Sequence, residues 1–234
     1  MLGTAVAAIT EALFPGRCLL CGGWLFLVSD HSTPICSTCL DALHVLREPR
    51  CARCGIELSS ERGTCLRCRT ADFMFHTNMS VFAYSGHAKV LLVGLKFEQR
   101  RRLAPLFANW VAALLKTSGW NGPIIPVPPR PGRRTPDAVE LVAGLLERCH
   151  GVRVVRPLVR APGVQQKTLD LEQRKRNLRG QVRVTPHALP DAIPPQAILL
   201  DDVFTTGATL DACARALRDA GCAEVNAVTL VMEE

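Results

Sequence analysis

From about residue 79 onward, short apolar runs alternate with segments whose apolar residues recur at helical spacing. The short runs are typical of buried strands, and the three-to-four-residue period is typical of amphipathic helices. The predicted strands are Met79–Tyr84, Pro123–Val127, Val152–Val155, Ala197–Leu200 and Val225–Val231, and the predicted helices are Lys89–Leu95, Leu103–Lys116, Ala138–Cys149, Asp170–Leu178 and Leu210–Ala220. This alternation predicts an α/β fold with a parallel sheet flanked by helices.

The amino-terminal residues 1–16 carry a different pattern. Leu2, Val6, Ile9, Leu13 and Phe14 recur at helical spacing, which predicts a short amphipathic helix. No basic face accompanies this stripe, so docking on a neighbouring element is favoured over binding to a membrane surface. No apolar run reaches the roughly 18 residues that cross a bilayer, and the basic flank and cleavage site of a signal peptide are missing. We expect a cytoplasmic protein without membrane insertion.

Eight of the eleven cysteines form four C-x-x-C pairs within the segment 17–72. Thiols in the cytoplasm are kept reduced, which argues against disulfides. Two intervening residues let a tight turn present both sulfurs to one metal ion, and two such turns complete the tetrahedral shell of Zn²⁺. The segment is therefore predicted to be a double zinc ribbon with two structural zinc sites. The predicted ligands are Cys18, Cys21, Cys36, Cys39, Cys51, Cys54, Cys65 and Cys68.

The pairs can combine sequentially or in an interleaved order. Sequential sites need loops of fourteen and ten residues, which cost less conformational entropy than the longer interleaved loops. The interleaved order remains open. Gly22 and Gly55 follow the first and third pairs, as in an internal repeat, and four thiolates leave no open position for catalysis. The remaining cysteines, Cys149, Cys213 and Cys222, are interpreted as small buried residues.

After the apolar run Ala197–Leu200, two acids and a loop of small and hydroxyl residues precede a predicted helix. Unpaired N–H groups at a helix amino terminus attract phosphate. Asp201 and Asp202 suit the vicinal hydroxyls of a ribose, whereas capping the helix would require only one side chain. This segment therefore predicts a ribose 5-phosphate site. The predicted phosphate contacts are Thr205, Thr206, Gly207, Ala208 and Thr209.

The stretch Asp201–Thr209 resembles the diphosphate-sugar signature of type I phosphoribosyltransferases. Further segments make the chain, from about Cys18 to its end, similar to the ComF family of competence-associated proteins, which also begin with a cysteine-rich zinc ribbon. These segments are Tyr84–Gly86, Leu95–Phe97, Pro126–Pro128, Gln166–Leu169 and Arg174–Gly180.

The resemblance implies a type I phosphoribosyltransferase-like domain over residues 79–234, binding phosphoribosyl diphosphate. It assigns Asp201 and Asp202 to the ribose, Pro128 and Arg130 to the pyrophosphate loop, and residues 165–176 to a loop that closes on the site. Arg174 would contact the leaving group, and with the acid pair it forms the expected catalytic set. Mg²⁺ would neutralise the departing pyrophosphate.

One segment departs from the family pattern. Relatives usually carry Arg-Gly-Phe-Asn-Gln-Ala here, whereas residues 134–139 read Arg-Thr-Pro-Asp-Ala-Val. The difference bears on how the acceptor is recognised.

The net charge of +7 favours a polyanionic partner, with arginines clustered at residues 100–102 and 174–179. The resemblance implies single-stranded DNA and a competence helicase as partners. Two functions follow: a phosphoribosyl diphosphate-binding module in DNA uptake, or an active phosphoribosyltransferase of nucleotide metabolism with an unknown acceptor.

Overall fold

The computed structural model describes residues 16–25, 34–60, 62–97, 101–131, 137–161, 181–185 and 193–233. In the cysteine-rich part the elements are short: β1 (Gly16–Arg17), β2 (Trp24–Leu25), α1 (Ser37–Asp41) and α2 (Leu66–Thr70). The rest contains β3 (Asn78–Ala83), α3 (Gly86–Lys96), α4 (Ala104–Ser118), β4 (Ile124–Pro126), α5 (Ala138–His150), β5 (Leu158–Arg160), β6 (Val182–Val184), β7 (Gln196–Phe204), α6 (Ala208–Asp219) and β8 (Glu224–Met232).

A parallel sheet with the strand order β3-β8-β7-β4 lies at the centre. Strands β7 and β8 pair along nearly their whole length, from Gln196 opposite Glu224 to Phe204 opposite Met232. Strand β4 pairs with β7 only as far as Leu200. The carboxyl end of β7 is therefore free of β4, and this side of the strand faces the candidate site.

Side chains of β7 alternate between two apolar clusters, as they do on any strand. Ile198 and Leu200 pack with residues of α3, α4 and α5 on one face, and Leu199 packs with α6 and the second cysteine-rich repeat on the other. The sheet is thus covered on both faces, which is the usual setting for parallel strands. Within the described residues, every helix is too short or too polar to traverse a bilayer.

The predicted α/β class is confirmed, with two corrections to the strands. The strand predicted to end at Leu200 continues to Phe204, because β8 runs beside it and supplies backbone partners as far as Met232. The strand predicted over residues 152–155 is reduced to one bridge between Val154 and Ile124. The helix predicted at 170–178 lies outside the described residues, as does the one predicted at 1–16 except for Gly16, which belongs to β1.

An antiparallel pair, β5 with β6, was not predicted. Its strands are three residues long, too short for periodicity to reveal.

The cysteine-rich part docks on the first strand of the sheet. The Ala83 N–H donates to the carbonyl of His44 at 3.1 Å, and the Asn78 N–H donates to that of Arg53 at 2.8 Å. The Asn78 amide also donates to the carbonyl of Cys54 at 3.0 Å. At Gly55 (φ +78°) a Cβ would lie 2.5 Å from the carbonyl oxygen of Asn78. The second turn between cysteines therefore fits against β3 only because it carries glycine.

We expect Gly55→Ala to destabilise the protein more than Gly22→Ala. Both glycines have positive φ in equivalent turns, but a Cβ at Gly22 would meet no atom within 4 Å. The conformational penalty alone is about 1–2 kcal/mol, and the backbone collision at Gly55 adds roughly 1–3 kcal/mol. Urea denaturation of the zinc-loaded proteins, followed by far-ultraviolet circular dichroism, measures the difference. Equal losses of stability would contradict the described docking.

Candidate functional site

The eight paired cysteines form two clusters of four thiols, and the sulfur atoms of each cluster lie within 4.8 Å of one another. The first cluster contains Cys18, Cys21, Cys36 and Cys39, and the second contains Cys51, Cys54, Cys65 and Cys68. The sequential order is confirmed, and the interleaved order is not the one adopted. The Cys21 and Cys36 sulfurs are 3.8 Å apart. Four sulfurs at 2.3 Å from a tetrahedral Zn²⁺ would be separated by about 3.8 Å, so the geometry fits two zinc ions.

The backbone repeats in the two clusters. In the first, the Gly22 N–H donates to the carbonyl of Cys18 at 2.9 Å, and the Cys36 N–H donates to the Cys18 sulfur at 3.4 Å. In the second, the Cys65 N–H donates to the Cys51 sulfur at 3.3 Å. Amides directed at sulfur stabilise thiolates, so each turn is prepared for a cation.

Ionisation of the second cluster shows why a cation is required. Burial alone would raise the pKa of Cys51, but N–H groups of Cys54, Cys65 and Arg53 lower it to about 6. Burial raises the pKa of Cys54 to about 11, and burial together with the charge of Cys54 raises that of Cys68 still further. Burial and mutual repulsion therefore oppose four thiolates in this cluster, and a bound Zn²⁺ would compensate their charge.

The prediction that Cys149, Cys213 and Cys222 are buried is partly wrong. Cys213 and Cys222 are buried, whereas Cys149 is exposed. Cys149 lies in the last turn of α5, one residue before the helix ends, where it faces solvent.

A cavity of about 730 Å³ opens where β7 extends past β4. The predicted ligand-contacting residues Pro128, Arg130, Asp201, Asp202, Thr205 and Thr209 line it. Thr206, Gly207 and Ala208 belong to the adjoining loop but do not line the cavity. Arg174 and residues 134–136 lie outside the described residues, whereas Asp137 and Val139 line the cavity. The structure thus brings six of the predicted contacts to one concave surface.

The two acids of the cavity differ in their surroundings. Burial and the charge of Asp202 raise the pKa of Asp201 to about 7, although the Asp202 N–H, Lys96 and Arg160 lower it. The Asp202 N–H donates to Asp201 Oδ1 at 2.9 Å, and Asp202 Oδ2 forms an ion pair with Lys96 Nζ. Near neutral pH the acid pair therefore carries less than two full negative charges.

The loop between β7 and α6 exposes backbone N–H groups. Gly207 is the residue before the helix, at φ +78°, and has no side chain to accept hydrogen bonds from the first turn. A Cβ there would lie 3.0 Å from ring atoms of Phe204 and Phe73. Gly207 therefore supplies no side-chain cap to α6, although Thr206 Oγ1 accepts from the Ala208 N–H at 3.4 Å. The other N–H groups of the first turn suit a phosphate.

The second zinc ribbon braces this loop. Arg67 of α2 donates from Nη1 to the carbonyl of Thr205 at 2.8 Å, and its guanidinium lies 5.4 Å from the centre of the Phe204 ring. Behind the loop, the Met74 N–H donates to Asp211 Oδ1 at 2.8 Å. Because Arg67 follows Cys65 and precedes Cys68, the zinc-binding helix holds the loop in place.

Sequence reasoning assigned no role to three basic side chains near the site. Lys96 was noted only within a segment that resembles the ComF family, and Arg67 and Arg160 were not considered. Arg67 lies 138 residues from its partner, a separation at which no local pattern gives a signal. Phe97 is 66% exposed and lines the cavity.

Residues 9–69 match the family model of the double zinc ribbon domain. The whole chain is similar to "Competence protein ComFC" of Streptococcus pneumoniae, with 25% identity over 92% of this chain and 99% of that protein. It is also similar to "Competence protein F" of Haemophilus influenzae, with 27% identity over 91% of this chain and 95% of that protein.

A third relative is the "DNA utilization protein YhgH" of Salmonella typhimurium, with 29% identity over 90% of this chain and 94% of that protein. The resemblance to the ComF family is therefore confirmed over about nine-tenths of the chain.

We expect two zinc ions per chain. Replacing a ligand of one cluster, as in Cys36→Ser or Cys65→Ser, should leave one ion, because three thiolates bind Zn²⁺ far more weakly than four. Cys149→Ser, which changes an exposed cysteine outside both clusters, should leave two. Inductively coupled plasma mass spectrometry of the purified proteins gives the count. One ion in the unaltered protein, or loss of zinc from the Cys149 variant, would refute the assignment.

We expect Asp201→Asn to stabilise the protein at pH 8 and not at pH 4. The folded state raises the pKa of this carboxyl from 3.8 to about 7, so it binds a proton that the unfolded chain has lost. Its contribution to stability therefore falls as the pH rises from about 4 to 7, and asparagine removes this loss. Melting temperatures at the two pH values provide the measurement.

The matched control for this experiment is Asp219→Asn at the exposed end of α6, which should change the melting temperature little at either pH. A gain from Asp201→Asn that was equal at both pH values would contradict the assigned pKa.

Proposed function

We propose that the cavity beside β7 binds phosphoribosyl diphosphate, and that the protein uses this site in the handling of single-stranded DNA during DNA uptake. The observation that carries the proposal is the convergence of an acid pair and the amino terminus of α6 on one cavity of about 730 Å³. This volume lies within the usual range of small-molecule sites, about 300–1,000 Å³. In this proposal residues 17–72 form a zinc-ribbon domain and residues 79–234 form the sugar-phosphate-binding domain.

Each part of the ligand finds suitable chemistry in the cavity. The carboxylates of Asp201 and Asp202 accept hydrogen bonds from the ribose hydroxyls, and Thr205 and Thr209 donate to the 5-phosphate together with the first N–H groups of α6. Arg130 lies in the proline-rich loop after β4 and offers a guanidinium to the diphosphate. The site therefore suits a sugar that carries phosphate at two positions.

Mg²⁺ fits this arrangement mainly through the ligand. It prefers oxygen ligands and usually binds one or two carboxylates together with substrate phosphates. Asp202 is already paired with Lys96, so Asp201 and the diphosphate oxygens would supply most of the coordination. When bound, the ion would neutralise charge on the diphosphate.

The role in DNA handling rests on the relatives and on charge. The relatives are named for competence and for DNA utilization, and the chain has a net charge of +7. Arg62, Arg67 and Arg69 are exposed on the second zinc ribbon, and Arg67 contacts the loop that begins at Thr205. A basic surface adjoining a sugar-phosphate site suits a nucleic-acid strand.

Transfer of the phosphoribosyl group is the second candidate function. Phe97 presents an exposed aromatic side chain to the cavity, on which an acceptor base could stack. Asp201, with a pKa of about 7, is suited to accept or return a proton at neutral pH. The acceptor would then occupy the side of the cavity that Phe97 lines.

We expect phosphoribosyl diphosphate to bind with Mg²⁺ present, and the double variant Asp201→Asn, Asp202→Asn to lose roughly 100-fold in affinity. The reason is that hydrogen bonds to charged groups contribute about 1.5–3 kcal/mol each. Isothermal titration calorimetry measures the affinities, and Asp219→Asn, at the far end of α6, is the control. Absence of binding by the unaltered protein would sink the proposal.

Turnover separates the two candidate functions. Release of pyrophosphate in the presence of a panel of bases and amines would establish the transferase. Binding without turnover, together with salt-sensitive affinity for single-stranded DNA, would establish the binding module.

A further inference from the structure

Arg160 is the last residue of β5 and lines the same cavity. Its Nε and Nη2 atoms are buried and find no hydrogen-bond acceptor among the described residues. A guanidinium in such a position has lost its water without gaining a partner, which is unfavourable. Arg156, four residues earlier, behaves differently: its Nε donates to Glu140 Oε2 at 3.0 Å. The lack of a hydrogen-bond acceptor is therefore particular to Arg160 and is not shared by Arg156.

The charges around Arg160 do not satisfy it. Burial and the nearby charge of Arg130 lower its pKa, while Asp201 and Cys213 act in the opposite direction. Cys213 offers no charge in practice, because burial raises its pKa far above neutral pH. Asp201 is largely shared with the Asp202 N–H and with Lys96. Arg160 therefore lacks a full counter-charge in the described structure.

Arg130 and Arg160 both line the cavity, and the charge of Arg130 lowers the pKa of Arg160. Like charges brought together at the wall of a cavity are unfavourable unless an anion lies between them. Guanidiniums bind phosphate oxygens in bidentate fashion, and a multiply charged anion can accept from two of them. The arrangement suits a diphosphate better than a single phosphate monoester.

We propose that Arg160 binds the diphosphate group of the ligand jointly with Arg130. This inference rests on the proposed function and assigns a further contact within that site. The loop Thr205–Thr209 takes the 5-phosphate, so the two anionic ends of the ligand are recognised by different means: backbone N–H groups at one end and paired guanidiniums at the other.

The test compares three ligands on three variants. Phosphoribosyl diphosphate and inorganic pyrophosphate both carry the diphosphate, whereas ribose 5-phosphate lacks it. Arg160→Ala should weaken the first two by at least tenfold and ribose 5-phosphate by less than threefold. Arg160→Lys should recover part of the loss, since the charge remains without the bidentate fork. Arg156→Ala, in the same segment but paired with Glu140, should leave all three affinities unchanged.

Equal losses for the three ligands, or no loss for the two diphosphates, would overturn the assignment of Arg160. Circular dichroism and zinc content check that each variant is folded, and if Arg160→Ala is not, Arg160→Gln replaces it with the same expectations. Failure of the unaltered protein to bind any of the three ligands would overturn the proposed function and this inference with it. Binding by the unaltered protein without the difference between ligands would overturn only the inference.

Discussion

The extension of β7 beyond its neighbour β4 is the constraint on which the candidate site depends. Backbone pairing with β8 continues to Met232, whereas pairing with β4 stops at Leu200, so one side of the strand is left open. Asp201 and Asp202 lie on this open stretch, where a carboxylate can reach the cavity without entering the apolar core. Burial against the sheet raises the pKa of Asp201. The strand pairing therefore sets both the position and the charge of the acid pair.

The zinc ribbons also help to position the candidate site. A segment of this size with such short elements buries too little apolar surface to fold alone, and metal binding supplies the missing stability. The second ribbon holds the loop between β7 and α6 in place through two contacts. Arg67 donates to the carbonyl of Thr205, and Phe73 packs against Gly207. These contacts from outside the loop add to its internal bond from the Ala208 N–H to Thr206 Oγ1.

Features that depend on neighbours in sequence were predicted well, and features that depend on distant contacts were not. The zinc ligands follow from spacing because the two cysteines of each pair occupy one turn, and the α/β class follows from alternating apolar runs. The end of β7 was placed at Leu200 because two acids usually end a strand, whereas β8 carries the strand on to Phe204. Arg67 and Arg160 were missed because their surroundings come from elements far along the chain.

The charges of the cavity depend on one another, and this determines which class of ligand can compensate them. Lys96 is paired with Asp202, and Asp201, the carboxyl whose charge acts on Arg160, has its own ionisation disfavoured by burial. A neutral ligand would leave both guanidiniums uncompensated, and a cation that bound without an anionic ligand would be repelled by them. A diphosphate compensates them, while ribose hydroxyls that donate to Asp201 favour its charged form. An anionic sugar phosphate is therefore the class of ligand that relieves each unfavourable interaction at once.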